Sequence, residues 1–350
     1  MDTKHEKRIG PGGERNLCTL VQHQDALMST IDVLVLRAGT HGMPAGDYAA
    51  ELRDRLPDHR IEVATTPQEE RALAVEARVI TSTHFDANLL DDTPELELFA
   101  GVAAGYDHLP LDALAGHGVA VTNASGVHAP NIAEQVLGYI LMFARGLDEA
   151  RRRQERREWR HYQAREIKDS TVTIVGLGAI GKAVANRVTA FDVDTIGIRY
   201  TPKKGGPTDR VIGFDDADFH DALADTDYLV VATPLTETTR GLVGTEEFET
   251  LPPDAYLVNV GRGPIVDTDA LIVALRKNAI GGAGLDVTDP EPLPHNHPLW
   301  RFENVTITPH NAGHSPAHWD RLADIVAGNV RQLGDGTAPV DLENLVRSPE

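Results

Sequence analysis

The chain of 350 residues has one cysteine, Cys18. An internal disulfide needs two, and a thiolate metal site needs more, so both are excluded. No apolar run reaches the ~18 residues that cross a bilayer as a helix. Positive charge is scarce as well. Only 33 Lys and Arg stand against 53 Asp and Glu, for a formal net charge of −20, and seven of the 33 are Lys. A field of that sign repels phosphate backbones and anionic lipids, so neither nucleic acid nor membrane is expected as a partner. Few lysines beside many acids read as adaptation to high salt, where like-charge repulsion is screened within ~3 Å at 1 M. No internal repeat or low-complexity stretch is present. Residues 1–29 are polar, lack an apolar signal core, and read as a flexible extension of a cytoplasmic protein.

From residue 31 onward, short apolar runs alternate with helix-like segments, which predicts an α/β chain with parallel sheets. The first set is 31–37, 60–66, 77–83, 96–102 and 119–124. The second is 171–176, 194–199, 210–214, 227–233, 255–261, 281–287 and 304–310. Twelve runs of this kind make two doubly wound units. A long helical pattern over 131–160 joins them. Its second half carries six Arg between 151 and 160, which read as a solvated face paired with Glu155 and Glu158 rather than as a phosphate-binding patch. A last helix is expected from Ser315–Pro316 to Gly334.

The segment "TVTIVGLGAIGKAVA" sets Gly176, Gly178 and Gly181 directly after a strand and at the start of a helix. That context makes a G-x-G-x-x-G pattern a dinucleotide-binding turn. The first glycine permits the turn, the second admits a diphosphate, and the third lets helix and strand pack closely. About twenty residues later such folds place an acid that holds the adenosine ribose. Here that place holds Arg199, followed by Thr201, Lys203 and Lys204. A guanidinium pairs with phosphate where a carboxylate would repel it. NADP(H) is therefore expected in preference to NAD(H), which the site could still accept.

Three strand ends of the second set carry chemistry. Arg262 lies between two glycines in "YLVNVGRGPIVD", Glu291 in the Pro-rich loop of "GLDVTDPEPLP", and His310 in "VTITPHNAGH". Ligands of open α/β sheets bind beyond the C-terminal ends of strands. Such a set suits reduction of a 2-ketoacid. Arg262 would pair with the carboxylate and polarise the keto oxygen, and His310 beside Glu291 would exchange a proton with that oxygen. His310, His314 and His318, and the pair His295 and His297, could suggest a metal. Gly313 and Pro316 deny the first three a rigid frame, and no metal is expected.

Together with "ATPLTETTRGLVG" and "DTDAL", these motifs resemble the D-isomer-specific 2-hydroxyacid dehydrogenase family, which includes glyoxylate/hydroxypyruvate reductases, D-2-ketoacid reductases and phosphoglycerate dehydrogenases. The resemblance covers nearly everything after residue 30. It implies a flavodoxin-like substrate domain (30–125 and 312–345), a Rossmann dinucleotide-binding domain (126–311), and an active site in the cleft between them. It implies that Arg262, Glu291 and His310 are catalytic. It assigns the backbone of Ala103, Ala104 and Gly105 to the substrate carboxylate. The cofactor would meet Gly176, Gly178, Ala179, Ile180, Gly181, Arg199, Tyr200, Thr201, Lys203, Thr233, Pro234, Val260, Asp286 and Gly313. A homodimer built through the long helix is implied too. The family's usual HTAG is HNAG here, and Glu291 argues against the formate dehydrogenase branch, which has Gln there. One branch of the family works as a dinucleotide-sensing corepressor, an alternative that keeps the same three residues. Which small 2-ketoacid is used, glyoxylate, hydroxypyruvate or a relative, is not written in these motifs.

Overall fold

A computed structural model describes residues 30–106, 108–336 and 339–350. The expected extension over 1–29 lies outside the described residues. The chain divides into two compact units, one ending at Ser125 and resuming at Pro316–Glu350, the other spanning Gly126–Ser315.

The first unit holds strands β1 (Ile31–Val35), β2 (Ile61–Val63), β3 (Ala77–Ser82), β4 (Leu98–Gly101), β5 (Ala120–Thr122) and, at the far end of the chain, β13 (Leu345–Arg347). They form one sheet in the order β13-β5-β4-β3-β1-β2. The five strands expected from the sequence pair in parallel, and their apolar runs are buried because helices cover both faces of such a sheet. β13 pairs antiparallel with β5 and was not expected. Its three residues are all half-buried, so they carry no alternating pattern to detect. Helix Ala45–Arg55 packs against helix His318–Gly334, which brings the C-terminal segment back to this unit. The rings of Tyr48 and Trp319 stack at 4.6 Å. Arg55 pairs with Glu51, Asp320 and Asp324, each at 2.6 Å.

In the second unit, seven parallel strands follow the order β12-β11-β10-β9-β6-β7-β8. They are β6 (Thr171–Val175), β7 (Asp194–Ile198), β8 (Arg210–Ile212), β9 (Tyr228–Val231), β10 (Tyr256–Asn259), β11 (Gly282–Leu285) and β12 (Val305–Ile307). Each lies within a run expected from the sequence. The order reverses between β6 and β9, which makes that junction the topological switch point. Two apolar clusters flank the sheet, one around Ile198, Leu229 and Leu257, the other around Val172, Val230 and Tyr139.

The expected continuous helix over 131–160 is instead two helices, Ala129–Arg145 and Leu147–Glu155. Gly146 between them has φ +59°, a left-handed value that ends the first helix. A Cβ there would meet the ring of Tyr162 at 2.8 Å, so the chain that returns past the break fills the space. The arginines that follow pair locally: Arg151 with Glu155 at 2.9 Å, Arg153 with Glu149, and Arg156 with Glu158 at 3.0 Å. Among the described residues, no helix is long and apolar enough to cross a membrane.

Candidate active site

The glycine turn leaves β6 at the switch point. Gly176 has φ +101°, which excludes side chains, and a Cβ there would stand 2.7 Å from the carbonyl of Ala232 and 2.8 Å from Cα of Thr233. The loops after β6 and β9 therefore touch backbone to backbone. Gly178 caps helix Ala179–Val188 without a side-chain hydrogen bond, and a Cβ on it would meet nothing within 4 Å. Amides of the first turn, at Ala179, Ile180 and Gly181, thus start from an open shelf at a helix N-terminus, a place that suits a diphosphate. Thr233 is buried, and the loop beyond Pro234 is set by reciprocal bonds between Thr236 and Thr239 and by Thr239 Oγ1 donating to the Pro234 carbonyl at 2.7 Å. The residues present fit a nicotinamide dinucleotide at this turn.

Arg199 follows β7. Its guanidinium donates to the Gly205 carbonyl at 2.6 Å, which ties the base of the loop carrying Thr201, Lys203 and Lys204. Both lysines are exposed, as is Tyr200 at 81%.

Arg262 stands just beyond β10, half-buried. Its turn is held by Asn259, a fully buried amide that sequence reasoning missed. Asn259 Nδ2 donates to the Arg262 carbonyl at 3.1 Å, and Asn259 Oδ1 accepts from the Gly261 amide at 3.1 Å. The guanidinium donates to the Gly261 carbonyl at 2.8 Å. Val260 beside it is buried.

Glu291 and His310 are brought together from the loops after β11 and β12. His310 Nδ1 lies 3.0 Å from Glu291 Oε2, and Glu291 Oε1 accepts from the Thr288 amide at 2.9 Å. With one carboxylate oxygen fixed by the backbone and the other on Nδ1, the imidazole is oriented and Nε2 is the nitrogen left for chemistry. His310 itself has φ +52°, an uncommon value for a residue with a side chain.

Asp286, at the end of β11, is 3% exposed. Its Oδ1 accepts from Thr308 Oγ1 at 2.5 Å and from the Asn311 amide at 2.8 Å, and its Oδ2 accepts from the Ala312 amide at 3.0 Å. The Asp286 carbonyl accepts from the His310 amide at 2.8 Å. This aspartate thus clamps the turn that carries His310. Gly313, next in the chain, faces His128. Thr308 and Tyr139, which complete the clamp, were missed, because a Thr at a strand end and a Tyr within a buried helix look like ordinary core residues.

In the first unit, the segment Ala103–Gly105 follows β4. The Ala103 carbonyl accepts from the Ala124 amide at 3.1 Å, and the Ala104 carbonyl from Asn123 Nδ2 at 2.6 Å. Asn123, also buried, was missed in the same way as Asn259.

Comparison with known proteins shows the family. The family model for the D-isomer specific 2-hydroxyacid dehydrogenase NAD binding domain matches residues 137–312. A glyoxylate reductase of Thermofilum pendens is 35% identical over 266 residues, covering 74% of this chain and 78% of that protein. One from Aeropyrum pernix is 34% identical, covering 76% and 81%. Among solved structures, a D-isomer specific 2-hydroxyacid dehydrogenase family protein of Aeromonas salmonicida superposes with TM-score 0.77 at 30% identity, over 91% of this chain and 99% of that one. The D-isomer specific 2-hydroxyacid dehydrogenase of Xanthobacter autotrophicus, solved with NADPH and MES, gives TM-score 0.76 at 29% identity over 91% and 98%. The chain belongs to the D-isomer specific 2-hydroxyacid dehydrogenase family of NAD(P)-dependent oxidoreductases.

Proposed function

We propose that this enzyme reduces a small 2-ketoacid, glyoxylate, hydroxypyruvate or a close relative, to the D-2-hydroxyacid, and that it prefers NADPH. The observation that carries the chemistry is the 3.0 Å pairing of His310 Nδ1 with Glu291 Oε2. The bound nicotinamide supplies the hydride. His310 Nε2 gives its proton to the keto oxygen as charge develops there, and takes it back in the reverse direction. Glu291 holds the ring and stabilises the proton on Nδ1. Arg262 pairs with the substrate carboxylate and offers a second N–H to the oxygen. The amides of Ala103, Ala104 and Gly105 are assigned to the carboxylate on the family resemblance.

Cofactor choice rests on Arg199, a cation where an NAD site has its ribose-binding acid, with Lys203 and Lys204 beside it. The NADPH-bound Xanthobacter relative is in keeping with this. Relatives named glyoxylate reductase support a small ketoacid as the substrate here. Tyr200, Thr201, Thr233, Pro234, Val260, Asp286 and Gly313 complete the set assigned to the dinucleotide. A homodimer fits an Arg-rich helix followed by Trp159, whose side chain is 99% exposed, and sedimentation would read its mass.

Initial rates on a panel of 2-ketoacids, each with NADH and NADPH, test the reading. Reduction of at least one small ketoacid, faster at equal concentration with NADPH, is expected. No rate on any of them removes the substrate class, and equal efficiency with both cofactors removes the preference.

A further inference from the structure

We infer that Tyr139, a residue of helix Ala129–Arg145 remote in sequence from the three catalytic groups, is a positioning residue for His310. The inference rests on the reading of His310 as the acid–base. Helix Ala129–Arg145 buries an apolar face of Ile132, Ala133, Val136, Ile140 and Phe143, and Tyr139 is the polar exception at 3% exposure. A phenol hydroxyl taken out of water costs free energy unless it finds a partner. It meets Thr308 Oγ1 at 2.6 Å, and the Gln135 side chain, one turn earlier on the same helix, also bonds to it.

Proton counting fixes the direction of the chain. The Asp286 carboxylate only accepts, so the single Thr308 hydroxyl proton goes to Asp286 Oδ1 at 2.5 Å. Thr308 Oγ1 must then accept, and Tyr139 donates. Asp286 in turn takes the amides of Asn311 and Ala312. Tyr139–Thr308–Asp286 is thus one polarised line that ends on the two residues following His310. Burial raises the tyrosine's pKa, so the donor keeps its proton throughout the physiological range.

The turn needs such a line. His310 holds φ +52°, a left-handed conformation that costs a residue with a side chain and persists where its surroundings over-determine it. The phenol ring is closely packed. Strand β11 has Gly284 opposite the ring, and a Cβ there would come within 2.6 Å of Tyr139 Cγ. The ring therefore lies directly on the strand backbone, with its hydroxyl aimed at the end of β12.

Tyr139→Phe keeps the ring and removes the donor. Expected are a turnover roughly five- to tenfold lower, with KM for ketoacid and cofactor within about twofold and thermal midpoint nearly unchanged. Thr308→Val breaks the next link, and the double variant should be no worse than Thr308→Val alone, as for two groups on one line. Hydrogen exchange of the peptide spanning 308–313, read by mass spectrometry on the full chain, should speed up in Tyr139→Phe. That readout needs no substrate, so it separates this inference from the catalytic reading. Unchanged exchange in that peptide, unchanged turnover, or additive losses in the double variant overturn the positioning role. Absent turnover in the parent enzyme, with exchange still accelerated, overturns the catalytic reading and leaves the coupling of Tyr139 to the His310 turn standing.

Discussion

His310 Nδ1 and Glu291 Oε2 lie 3.0 Å apart although 19 residues and strand β12 separate them in the chain. The contact exists because β11 and β12 are adjacent and parallel, so both loops leave the same edge of the sheet. The proposed acid–base role of this pair makes a direct prediction. His310→Ala should lower kcat by roughly 10²–10⁴, the usual yield of a positioned acid–base, while cofactor affinity measured by fluorescence stays intact. Near-normal turnover would remove His310 from that role. Glu291→Gln should fall between the two, because the amide still spans to the ring and carries no charge.

Asn259 holds the Arg262 turn through two hydrogen bonds from a buried position. Asn259→Ala leaves the Gly261 amide and the Arg262 carbonyl without that partner, at about 1–3 kcal/mol of stability. Ketoacid KM should rise with it, since the guanidinium loses its fixed base. Saturation kinetics and urea unfolding on the same preparation check both effects. A stable variant with unaltered KM would show that Arg262 is held by other means.

On the proposed cofactor reading, Arg199→Asp should turn preference towards NADH, because it puts a ribose-binding acid where the 2′-phosphate is read as held. The ratio of kcat/KM for the two cofactors is the quantity to measure. If it does not move, the 2′-phosphate is recognised elsewhere.

Burial raises the pKa of four tyrosines, Tyr48, Tyr139, Tyr228 and Tyr256, with that of Tyr228 pushed up to about 12. Unfolded tyrosines titrate near pH 10. Between pH ~10 and ~12 the unfolded chain therefore binds fewer protons than the folded one, and stability falls as pH rises. Below that window the contribution is fully present. Tyrosinate absorbance should step up together with loss of circular dichroism. A complete tyrosinate signal from a still-folded protein would contradict the burial of these rings.

The net charge of −20 predicts a protein that needs salt. Lowering salt from molar to ~0.1 M lengthens the screening distance from ~3 to ~10 Å and lets the acidic surface repel itself. The thermal midpoint should drop along that series. A midpoint that is flat or rises at low salt would show that the acidic surface is not an adaptation of this kind.

The alternation of strands and helices, the glycine turn and the three residues beyond strand ends follow from local patterns in the chain. These are apolar runs bounded by turns, a G-x-G-x-x-G between strand and helix, and an ionisable side chain in the loop that follows a buried run. Position after a strand was enough to place Arg262, Glu291 and His310 on one sheet edge, because parallel strands all end on the same side. The tertiary structure decided what holds them. Asn259 and the amide of Thr288 bond within the turns of Arg262 and Glu291, Asp286 with Thr308 and Tyr139 bonds to the turn of His310 from distant segments, and no local pattern distinguishes such an Asn, Thr or Tyr from a core residue. The break at Gly146 and the antiparallel strand β13 were hidden for the same reason. One depends on a ring sixteen residues away filling the space beside a left-handed glycine, the other on three half-buried residues that become a strand only because β5 offers them an edge.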